Sequence, residues 1–344
     1  MVSIIIPSYN SSRTIRRCLQ SVIRQTYRNI EIVVVDDGST DGSSSMIDEL
    51  LDEVEKKVII HKQENEGVEK TRLKGINVSN GKYVLLLDAD DILPDNAVDI
   101  LVNTSLKYGA DLVQGGMQTF VTLLGHKIKL SGNPSWVGVK TYEDNIVLRK
   151  VYLSFFGCGN FNAGVGGKFY KRDVLMDIKV AGLSFGEDLY MNMQVFPRLK
   201  CICEIPQITY YYERQGMTSR FMPQFMCDCK KLYQIKVDVA KEQHIDEAIL
   251  YSTIELRNCL KTHVESMILH KVDSQEGIKQ WIMQELQDSI YDVFDWLREQ
   301  HGFNNSPIAQ AIVNRNADSI YDNCHKSVYE WKPKKIARRL LTRI

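Results

Sequence analysis

Several features that would place this chain in a common class are missing from its sequence. Among its 344 residues, no apolar run approaches the roughly 20 residues of a transmembrane helix. Lys and Arg (43) balance Asp and Glu (43), and a net charge of zero argues against a nucleic-acid-binding protein with a globally basic surface. Internal repeats and low-complexity tracts are also absent. What remains is the composition of a globular protein with one or two domains.

We expect no secretion signal at the N-terminus of this sequence. Residues 1–7 enter an apolar strand pattern at once, without a basic region or a cleavage site. We therefore expect a cytoplasmic protein in a reducing compartment, with its eight cysteines present as free thiols. One residue separates Cys201 from Cys203 and Cys227 from Cys229, whereas structural zinc sites use gaps of about two to four residues, so zinc is not expected.

Glycine-rich phosphate-binding loops are missing as well. A dinucleotide-binding enzyme should have Gly-x-Gly-x-x-Gly after its first strand, but residues 7–12 read Pro-Ser-Tyr-Asn-Ser-Ser. A P-loop motif is also absent, and residues 164–167 do not open a strand–helix unit of the right kind, so we interpret them as a loop. The sequence therefore argues against both of these nucleotide-binding classes.

Apolar strands alternate with amphipathic helices through residues 1–115. The predicted strands cover 2–8, 30–35, 58–61, 83–87 and 111–115, and the predicted helices cover 14–25, 44–55, 68–78 and 95–108. Ser11 or Ser12 is the expected cap of the first helix. This alternation is typical of a mainly parallel sheet covered on both faces, with its strand-to-helix loops at one edge because crossovers are right-handed.

Polar and acidic residues from four separate segments meet at that edge: 8–10, 36–39, 64–67 and 88–91. The last segment, Asp88–Asp91, directly follows the apolar run 83–87. Carboxylates at a strand end suit Mg²⁺ or Mn²⁺, and a divalent metal at this edge implies a substrate that carries phosphate. The alternative is an acidic turn that leads into a helix.

The remainder of the chain divides into an irregular part and a helical part. We expect residues 116–224 to complete the sheet and to form one wall of the pocket. Predicted helices then cover 229–241, 246–270, 277–300 and 306–326. Ser306 is the expected cap of the last helix, with a proline at its first position. Trp281, Phe294 and Trp296 lie at helical spacing and are expected in the core.

These segments together resemble the family 2 glycosyltransferases of the GT-A fold. The matching segments, in order, are Val2–Asn10, Cys18–Thr26, Glu31–Asp41, Asn65–Gly67, Gly81–Asp91 and Gly186–Asp188. The resemblance implies a Rossmann-like, mainly parallel α/β sheet flanked by helices, followed by a helical C-terminal extension. It divides the chain into a nucleotide-sugar-binding half (1–115), an acceptor-binding half (116–224) and the extension (225–344).

The resemblance also implies roles for individual residues in donor binding. Tyr9 stacks on the base beside Pro7, and Asp37 accepts a hydrogen bond from the base. Asp90 binds Mn²⁺ or Mg²⁺ together with Asp88. The implied donor-binding residues are Pro7, Tyr9, Asn10, Asp37, Gly38, Arg72, Asp88, Ala89, Asp91, Ser219 and Arg220.

The chemistry of these side chains agrees with such roles but leaves alternatives open. Tyr9 offers a rigid flat face, or it packs locally at a strand end. Asp37 is an acceptor only, and both uracil and guanine carry N–H groups, so UDP rather than GDP rests on the family. Arg72 can form charge-assisted bonds to phosphate, or it is a solvated helix residue. Arg220 clamps the diphosphate, or it lies in a solvated loop.

The acceptor side contains the implied catalytic residues. The resemblance makes Asp188 the general base, with Glu187 as the alternative base and Lys168 as an acceptor-binding residue. Because a predicted helix starts at this point, Asp188 is otherwise a cap or a first-turn acid.

The C-terminal segment 331–344 contains six basic residues and no acidic residue. Ile336, Leu340 and Leu341 share one helical face, so the segment is either an amphipathic contact with anionic lipid or a solvated tail. Lipid contact would place the protein at the inner face of the plasma membrane.

The sequence thus predicts an inverting, metal-dependent hexosyl- or N-acetylhexosaminyl-transferase. Its donor is a nucleotide-diphosphate sugar, with UDP-sugar favoured, and its acceptor is a hydroxyl of a glycan or lipid-linked glycan in cell-surface polysaccharide synthesis. A sugar nucleotidyltransferase is one alternative, although it would need an early glycine-rich basic loop. A non-catalytic donor-binding or membrane-platform module is another, and the intact Asp90 and Asp188 argue against it.

Overall fold

The computed structural model describes residues 1–52, 54–123, 126–130, 137–158, 161–213, 221–298 and 306–329, with the backbone alone at 122–123 and 126–127. Ser219, Arg220 and the basic segment 331–344 lie outside the described residues. The chain forms two compact units. One contains Met1–Phe155 with Phe161–Gly216, and the other contains Phe156–Asn160 with Met217–Ile344.

A mixed sheet forms the centre of the first unit. Its strands are β1 (Val2–Ser8), β2 (Ile30–Asp36), β3 (Lys57–Lys62), β4 (Tyr83–Leu86), β5 (Leu112–Leu123), β6 (His126–Lys129), β7 (Lys140–Tyr142), β8 (Lys168–Lys171) and β9 (Ile202–Glu213). Their order is β3-β2-β1-β4-β8-β5-β9-β7, with β6 paired to β5. Strands β1–β4 are mutually parallel and β5 is parallel to β9, whereas β8 runs antiparallel between β4 and β5.

Helices alternate with the first four strands as predicted. The helices of this unit are α1 (Ile15–Ile23), α2 (Ser43–Leu51), α3 (Val68–Val78), α4 (Ala97–Tyr108), α5 (Asn145–Leu153) and α6 (Glu187–Val195). Strands β1, β2 and β4 are buried along their whole length because helices cover both faces, and their side chains are mostly Ile, Val and Leu. Ile4 of β1 lies between Ile32 of β2 and Leu85 of β4, in the centre of the core.

The second unit is helical, as predicted for the C-terminal part. Its helices are α7 (Phe225–Glu242), α8 (Asp246–His270), α9 (Gln275–Glu285), α10 (Val293–Leu297), α11 (Pro307–Val313) and α12 (Ala317–Tyr329). A buried ion pair joins α7 to α8, with Lys236 Nζ 2.5 Å from Glu255 Oε2. Within the described ranges, no helix combines the length and the apolar character needed to cross a membrane.

Three local predictions were wrong. Neither Ser11 nor Ser12 caps α1 with its side chain; the Ser11 carbonyl accepts the Thr14 and Ile15 N–H groups instead. The single predicted helices 277–300 and 306–326 are each interrupted. The first interruption changes which residues face the core, because Asp288 starts a new turn by accepting the Ile290 N–H. Trp296, which was expected in the core, is consequently 56% exposed, whereas Phe294 is buried.

Two other local predictions were confirmed. Ser306 caps α11 by accepting the Ala309 N–H at 3.5 Å, with Pro307 at the first helical position. Residues 164–167 form a loop that leads into β8.

Candidate active site

The loop after β1 is fixed to the loop after β2. Asn10 has a positive φ of 46°, and its side-chain oxygen accepts the Thr40 N–H at 2.9 Å while its own N–H donates to Ser39 Oγ at 2.9 Å. These bonds hold the end of β1 in place and leave the Tyr9 side chain 54% exposed. An aromatic ring therefore stands in solvent at the carboxyl edge of the sheet, and Pro7 lies next to it within β1.

Asp37 is buried and organises the start of α3. Its carboxylate accepts hydrogen bonds from Gln63 Nε2 at 2.8 Å, from the Glu66 N–H at 2.9 Å and from the Gly67 N–H at 2.9 Å. A carboxylate offers about four acceptor positions, so one remains for a ligand N–H. The sequence did not reveal that three of the four are taken by the protein itself. The predicted contact with the base stays a prediction.

Gly38 adopts a left-handed backbone conformation. Its φ is +76°, and a Cβ at this position would lie 3.0 Å from the Asn65 backbone nitrogen. The loop after β2 therefore passes so close to the loop after β3 that only glycine fits without strain.

Arg72, on α3, binds three carboxylates at once. Its Nη2 lies 2.8 Å from Asp88 Oδ1, and its Nη1 lies 2.5 Å from Asp188 Oδ1 and 3.2 Å from Glu187 Oε1. With 6% of its surface exposed, Arg72 is not the solvated helix residue that was the alternative interpretation. Burial alone would lower the pKa of the guanidinium, but Asp188, Asp88 and Glu187 together raise it well above its usual value.

The guanidinium still has one unused donor. Among the described residues, Arg72 Nε is buried without a hydrogen-bond partner. Three carboxylates around one cation also leave the cluster with an excess of negative charge. The arrangement is therefore incomplete on its own and suits a site that takes up further ligand groups.

The carboxylates after β4 have different environments. Asp88 and Asp90 remain partly accessible, and burial together with the Asp88 charge raises the pKa of Asp90 to about 6. Asp91 is buried and accepts hydrogen bonds from Tyr210 Oη at 2.7 Å and from the Glu213 N–H at 2.8 Å. The Asp91 side chain thus faces β9, and whether it contacts the donor stays a prediction, as it does for the buried Ala89.

Asp88 and Asp90 are the candidate metal ligands of the site. Within the described ranges, no group of three or more His, Cys, Asp or Glu side chains is placed to bind a metal by itself. Mg²⁺ commonly uses only one or two protein carboxylates together with substrate phosphates. Asp88 and Asp90 are two carboxylates of this kind, and the pKa of Asp90 is raised first by burial and then by the Asp88 charge, which a cation would compensate. These residues fit a divalent ion that binds with its substrate.

Glu187 and Asp188 form the first turn of α6. Gly186 precedes them as the N-cap residue with φ +84°, and as a glycine it has no side chain with which to cap the helix. Asp188 Oδ1 accepts from Arg72, and Asp188 Oδ2 accepts the Val165 N–H at 3.1 Å. Burial and the neighbouring Asp188 charge raise the pKa of Glu187 to about 7. Asp188 is therefore a first-turn acid whose two oxygens are held by groups outside its own helix.

Lys168 is fully buried at the start of β8. Its Nζ donates to the Asn162 carbonyl at 2.6 Å and to the Gly164 carbonyl. Burial lowers the pKa of Lys168 to about 7. Its predicted contact with an acceptor stays a prediction, and the structure directs the ammonium to the loop carbonyls.

Sequence reasoning missed Glu69. Its carboxylate accepts the N–H groups of Ala181 at 2.8 Å, Gly182 at 2.6 Å and Leu183 at 3.2 Å, and so holds the segment that leads into Glu187. Because Glu69 lies three residues before Arg72, the two share a face of α3, and that spacing was the available signal.

The chain is similar to known proteins both in sequence and in fold. Residues 3–178 match the family model described as Glycosyl transferase family 2. The chain is 40% identical over 290 residues to the putative glycosyltransferase EpsH of Bacillus subtilis strain 168, covering 79% of this chain and 80% of EpsH. It is 31% identical over 221 residues to the glycosyltransferase GlyA of Streptococcus pneumoniae serotype 4, covering 64% of this chain but only 31% of GlyA.

A solved structure is similar in fold over nearly the whole chain. The crystal structure of S. aureus TarS 1-349 in complex with UDP-GlcNAc superposes with a TM-score of 0.63 and 20% sequence identity. The match covers 96% of this chain and 93% of the TarS chain. The likeness shows that both proteins share the mixed sheet with flanking helices and the helical C-terminal region.

Proposed function

The chain belongs to glycosyl transferase family 2 and is a glycosyltransferase, and we propose that it transfers a hexosyl or N-acetylhexosaminyl group from a UDP-sugar, with inversion. The acceptor is a hydroxyl of a glycan or lipid-linked glycan, and the product belongs to a cell-surface polysaccharide. The observation that carries this proposal is the bonding of Arg72 to Asp88 on one side and to Asp188 on the other. One buried cation thus joins the predicted donor site to the predicted base.

Three features support a UDP-sugar donor. The exposed Tyr9 ring can stack on a nucleobase, and the remaining acceptor position of Asp37 can take a base N–H. TarS, which has a similar fold, binds UDP-GlcNAc in its crystal structure.

Asp88 and Asp90 are the proposed protein ligands of Mn²⁺ or Mg²⁺. When bound, such an ion neutralises negative charge on the leaving diphosphate. The unused Arg72 Nε is a further donor close to the same carboxylates.

Asp188 is the proposed general base. It takes the proton of the acceptor hydroxyl while that oxygen bonds to the anomeric carbon and the bond from this carbon to the diphosphate oxygen breaks. Arg72 and the Val165 N–H each bond to one oxygen of this carboxylate and orient it. Glu187 is the alternative base, because its pKa of about 7 lies nearer to a neutral working pH.

Membrane contact and domain roles form part of the same proposal. The basic segment 331–344 would bind anionic lipid at the inner face of the plasma membrane, where a lipid-linked acceptor would be found. Residues 1–115 would bind the donor, and residues 116–224 would bind the acceptor. The loop at residues 218–220, which includes Ser219 and Arg220, would close over the diphosphate.

Calorimetric titration of the full chain with UDP, GDP, ADP and CDP, each with and without Mn²⁺, tests the donor class. We expect UDP to bind tightly and in a Mn²⁺-dependent manner, and the other nucleotides to bind much more weakly. Selective binding of GDP would keep the glycosyltransferase assignment but change the donor. Absence of binding by every nucleotide, in a folded sample, would contradict the proposed donor site.

A further inference from the structure

Two buried polar side chains lie against the loop formed by residues 161–167. Lys168 donates to the Asn162 carbonyl at 2.6 Å and to the Gly164 carbonyl. Asn192, also fully buried, donates from Nδ2 to the Ala163 carbonyl at 2.7 Å and more weakly to the Gly164 carbonyl at 3.4 Å. Three consecutive carbonyls of this loop are therefore bound by these two side chains.

The orientation of the Asn192 amide is itself fixed. Tyr170 Oη, on β8, donates to Asn192 Oδ1 at 2.8 Å, which leaves the Nδ2 group directed at the loop. Because Tyr170 and Asn192 are both buried, water does not compete for these bonds.

The next residue of the loop contacts the proposed base. Val165 donates its N–H to Asp188 Oδ2 at 3.1 Å. Asn192 lies four residues after Asp188, so both are on the same face of α6. The loop is thus bound to two residues of α6: Asn192 donates to its carbonyls, and Asp188 accepts the Val165 N–H.

We propose that Lys168 and Asn192 are positioning residues that hold the Val165 N–H on the Asp188 carboxylate. This inference rests on the proposed role of Asp188. In it, Lys168 does not contact the acceptor. Its buried ammonium fixes the loop carbonyls, and the loop in turn orients and stabilises the ionised base. A hydrogen bond to a carboxylate favours its charged form, and the Val165 N–H supplies such a bond to Asp188.

The charged and titratable groups that face Asp188 come from three elements. Arg72 comes from α3, Glu187 lies beside Asp188 on α6, and Lys168 and Tyr170 come from β8. Replacing Lys168 also removes a positive charge, whereas replacing Asn192 does not. The two variants therefore separate a loss of charge from a loss of positioning.

The test compares Lys168→Met and Asn192→Leu in the full chain. The assay is the release of UDP by hydrolysis of UDP-GlcNAc, UDP-GalNAc, UDP-glucose or UDP-galactose, using the donor that wild type turns over fastest. We expect kcat to fall about tenfold in both variants and the acidic limb of its pH profile to move to higher pH, because the base is misoriented and less readily ionised. KM for the donor should stay within about twofold.

A matched control lies at the other end of the same strand. Lys171 Nζ donates to Asp111 Oδ1 at 2.6 Å and to the Gly109 carbonyl at 3.1 Å, so Lys171→Met removes a comparable lysine from β8 without touching the loop. This variant should keep the wild-type pH profile. Lys168→Arg should restore part of the lost kcat, because a guanidinium can still donate to the loop carbonyls.

Amide hydrogen exchange gives a readout that needs no substrate. Peptides spanning 161–167 should exchange faster in Lys168→Met and Asn192→Leu but not in Lys171→Met. If either variant fails to fold, Tyr170→Phe replaces it, since it only frees the Asn192 amide. The inference would be overturned if the variants showed the wild-type exchange rate in this loop and if the acidic limb of their kcat profile were not shifted. Full activity of Asp188→Asn would instead overturn the proposed base, which separates the two failures.

Discussion

Arg72 and Asp188, 116 positions apart in the sequence, are joined by a hydrogen bond of 2.5 Å. The same guanidinium bonds to Asp88 at 2.8 Å, so the end of β4 and the start of α6 share one buried cation. Removing this cation would leave three carboxylates without their common partner. Both the stability of the fold and the geometry of the site therefore depend on Arg72.

Arg72→Met tests that dependence on stability. We expect a loss of about 3 kcal/mol in the free energy of unfolding at pH 8, since removing one partner of a buried ion pair leaves uncompensated charge. Urea denaturation at pH 8 gives the value. Arg16→Met is the matched control, because Arg16 forms only a 3.8 Å contact with Glu49 at the surface. Equal effects of the two substitutions would contradict the central role of Arg72.

Asp188→Asn and Glu187→Gln together identify the base. We expect Asp188→Asn to lower kcat by about 10²- to 10⁴-fold with UDP affinity unchanged, because it removes the proton acceptor but no proposed donor contact. Glu187→Gln should have a smaller effect. Steady-state UDP release and UDP titration supply the two quantities.

The pH dependence of kcat in the wild type is a second way to distinguish Asp188 from Glu187 as the base. Burial and the Asp188 charge raise the pKa of Glu187 to about 7, so a base at Glu187 would place the acidic limb of kcat near pH 7. A limb that Glu187→Gln leaves unchanged would keep the role with Asp188. A limb near pH 7 that disappears in Glu187→Gln would transfer the role to Glu187.

Asp90→Asn tests the metal site. We expect the Mn²⁺-dependent part of UDP binding to weaken by about tenfold or more, because one of two proposed ligands loses its charge. Uridine, which has no diphosphate, should bind wild type and variant alike. Asp95→Asn is the control, because Asp95 is an exposed carboxylate in the same connection that pairs with Arg24 at 3.5 Å. Unchanged Mn²⁺ dependence in Asp90→Asn would remove Asp90 from the site.

Local sequence patterns were sufficient for the first half of the sheet. Strands β1, β2 and β4 are mostly apolar and buried along their whole length, and α3 was predicted at its observed bounds, Val68–Val78. Hydrophobic periodicity reports burial directly, which explains this success. It does not report where an antiparallel strand inserts, so the position of β8 between β4 and β5 could not be foreseen.

The side-chain partners within the site were likewise beyond prediction from sequence. The motifs located Arg72 and Asp188 but gave no indication that they are bonded, since long-range pairs depend on the fold. The burial of Lys168 was missed for the same reason: a lysine in a glycine-rich segment looks exposed, and only the carbonyls of residues 162 and 164 explain why it is not.

Asp91→Asn tests the prediction that stability depends on pH through a buried acid. The pKa of Asp91 is raised from 3.8 to about 8 by burial and by the charge of Asp90. A carboxyl that binds its proton more tightly in the folded state stabilises the fold below about pH 4 and loses that contribution as the pH rises to 8. The variant should therefore become more stable relative to wild type as the pH rises between these limits, by up to about 5 kcal/mol.

Urea denaturation of Asp91→Asn and wild type at pH 4, 6 and 8 measures this difference. UDP titration of the same samples shows whether Asp91 also contacts the donor. We expect UDP affinity to be retained, because the carboxyl faces Tyr210 and Glu213. A stability difference independent of pH would show that Asp91 is ionised throughout this range.

Gly38→Ala tests how closely the loop after β2 must approach the loop after β3 at the proposed donor site. Gly38 has φ +76°, and a new Cβ would lie 3.0 Å from the Asn65 nitrogen, so both backbone strain and a contact that must shift are introduced. We expect a loss of about 1–3 kcal/mol in stability and weaker UDP binding, because the displaced loop also carries the N–H groups that bind Asp37. Gly42→Ala separates the two causes, since Gly42 has φ +89° but no atom within 4 Å of the added Cβ. Gly42→Ala should lose only about 1 kcal/mol in stability and keep its UDP affinity. Equal UDP affinity in both variants would show that the approach of these loops does not shape the donor site.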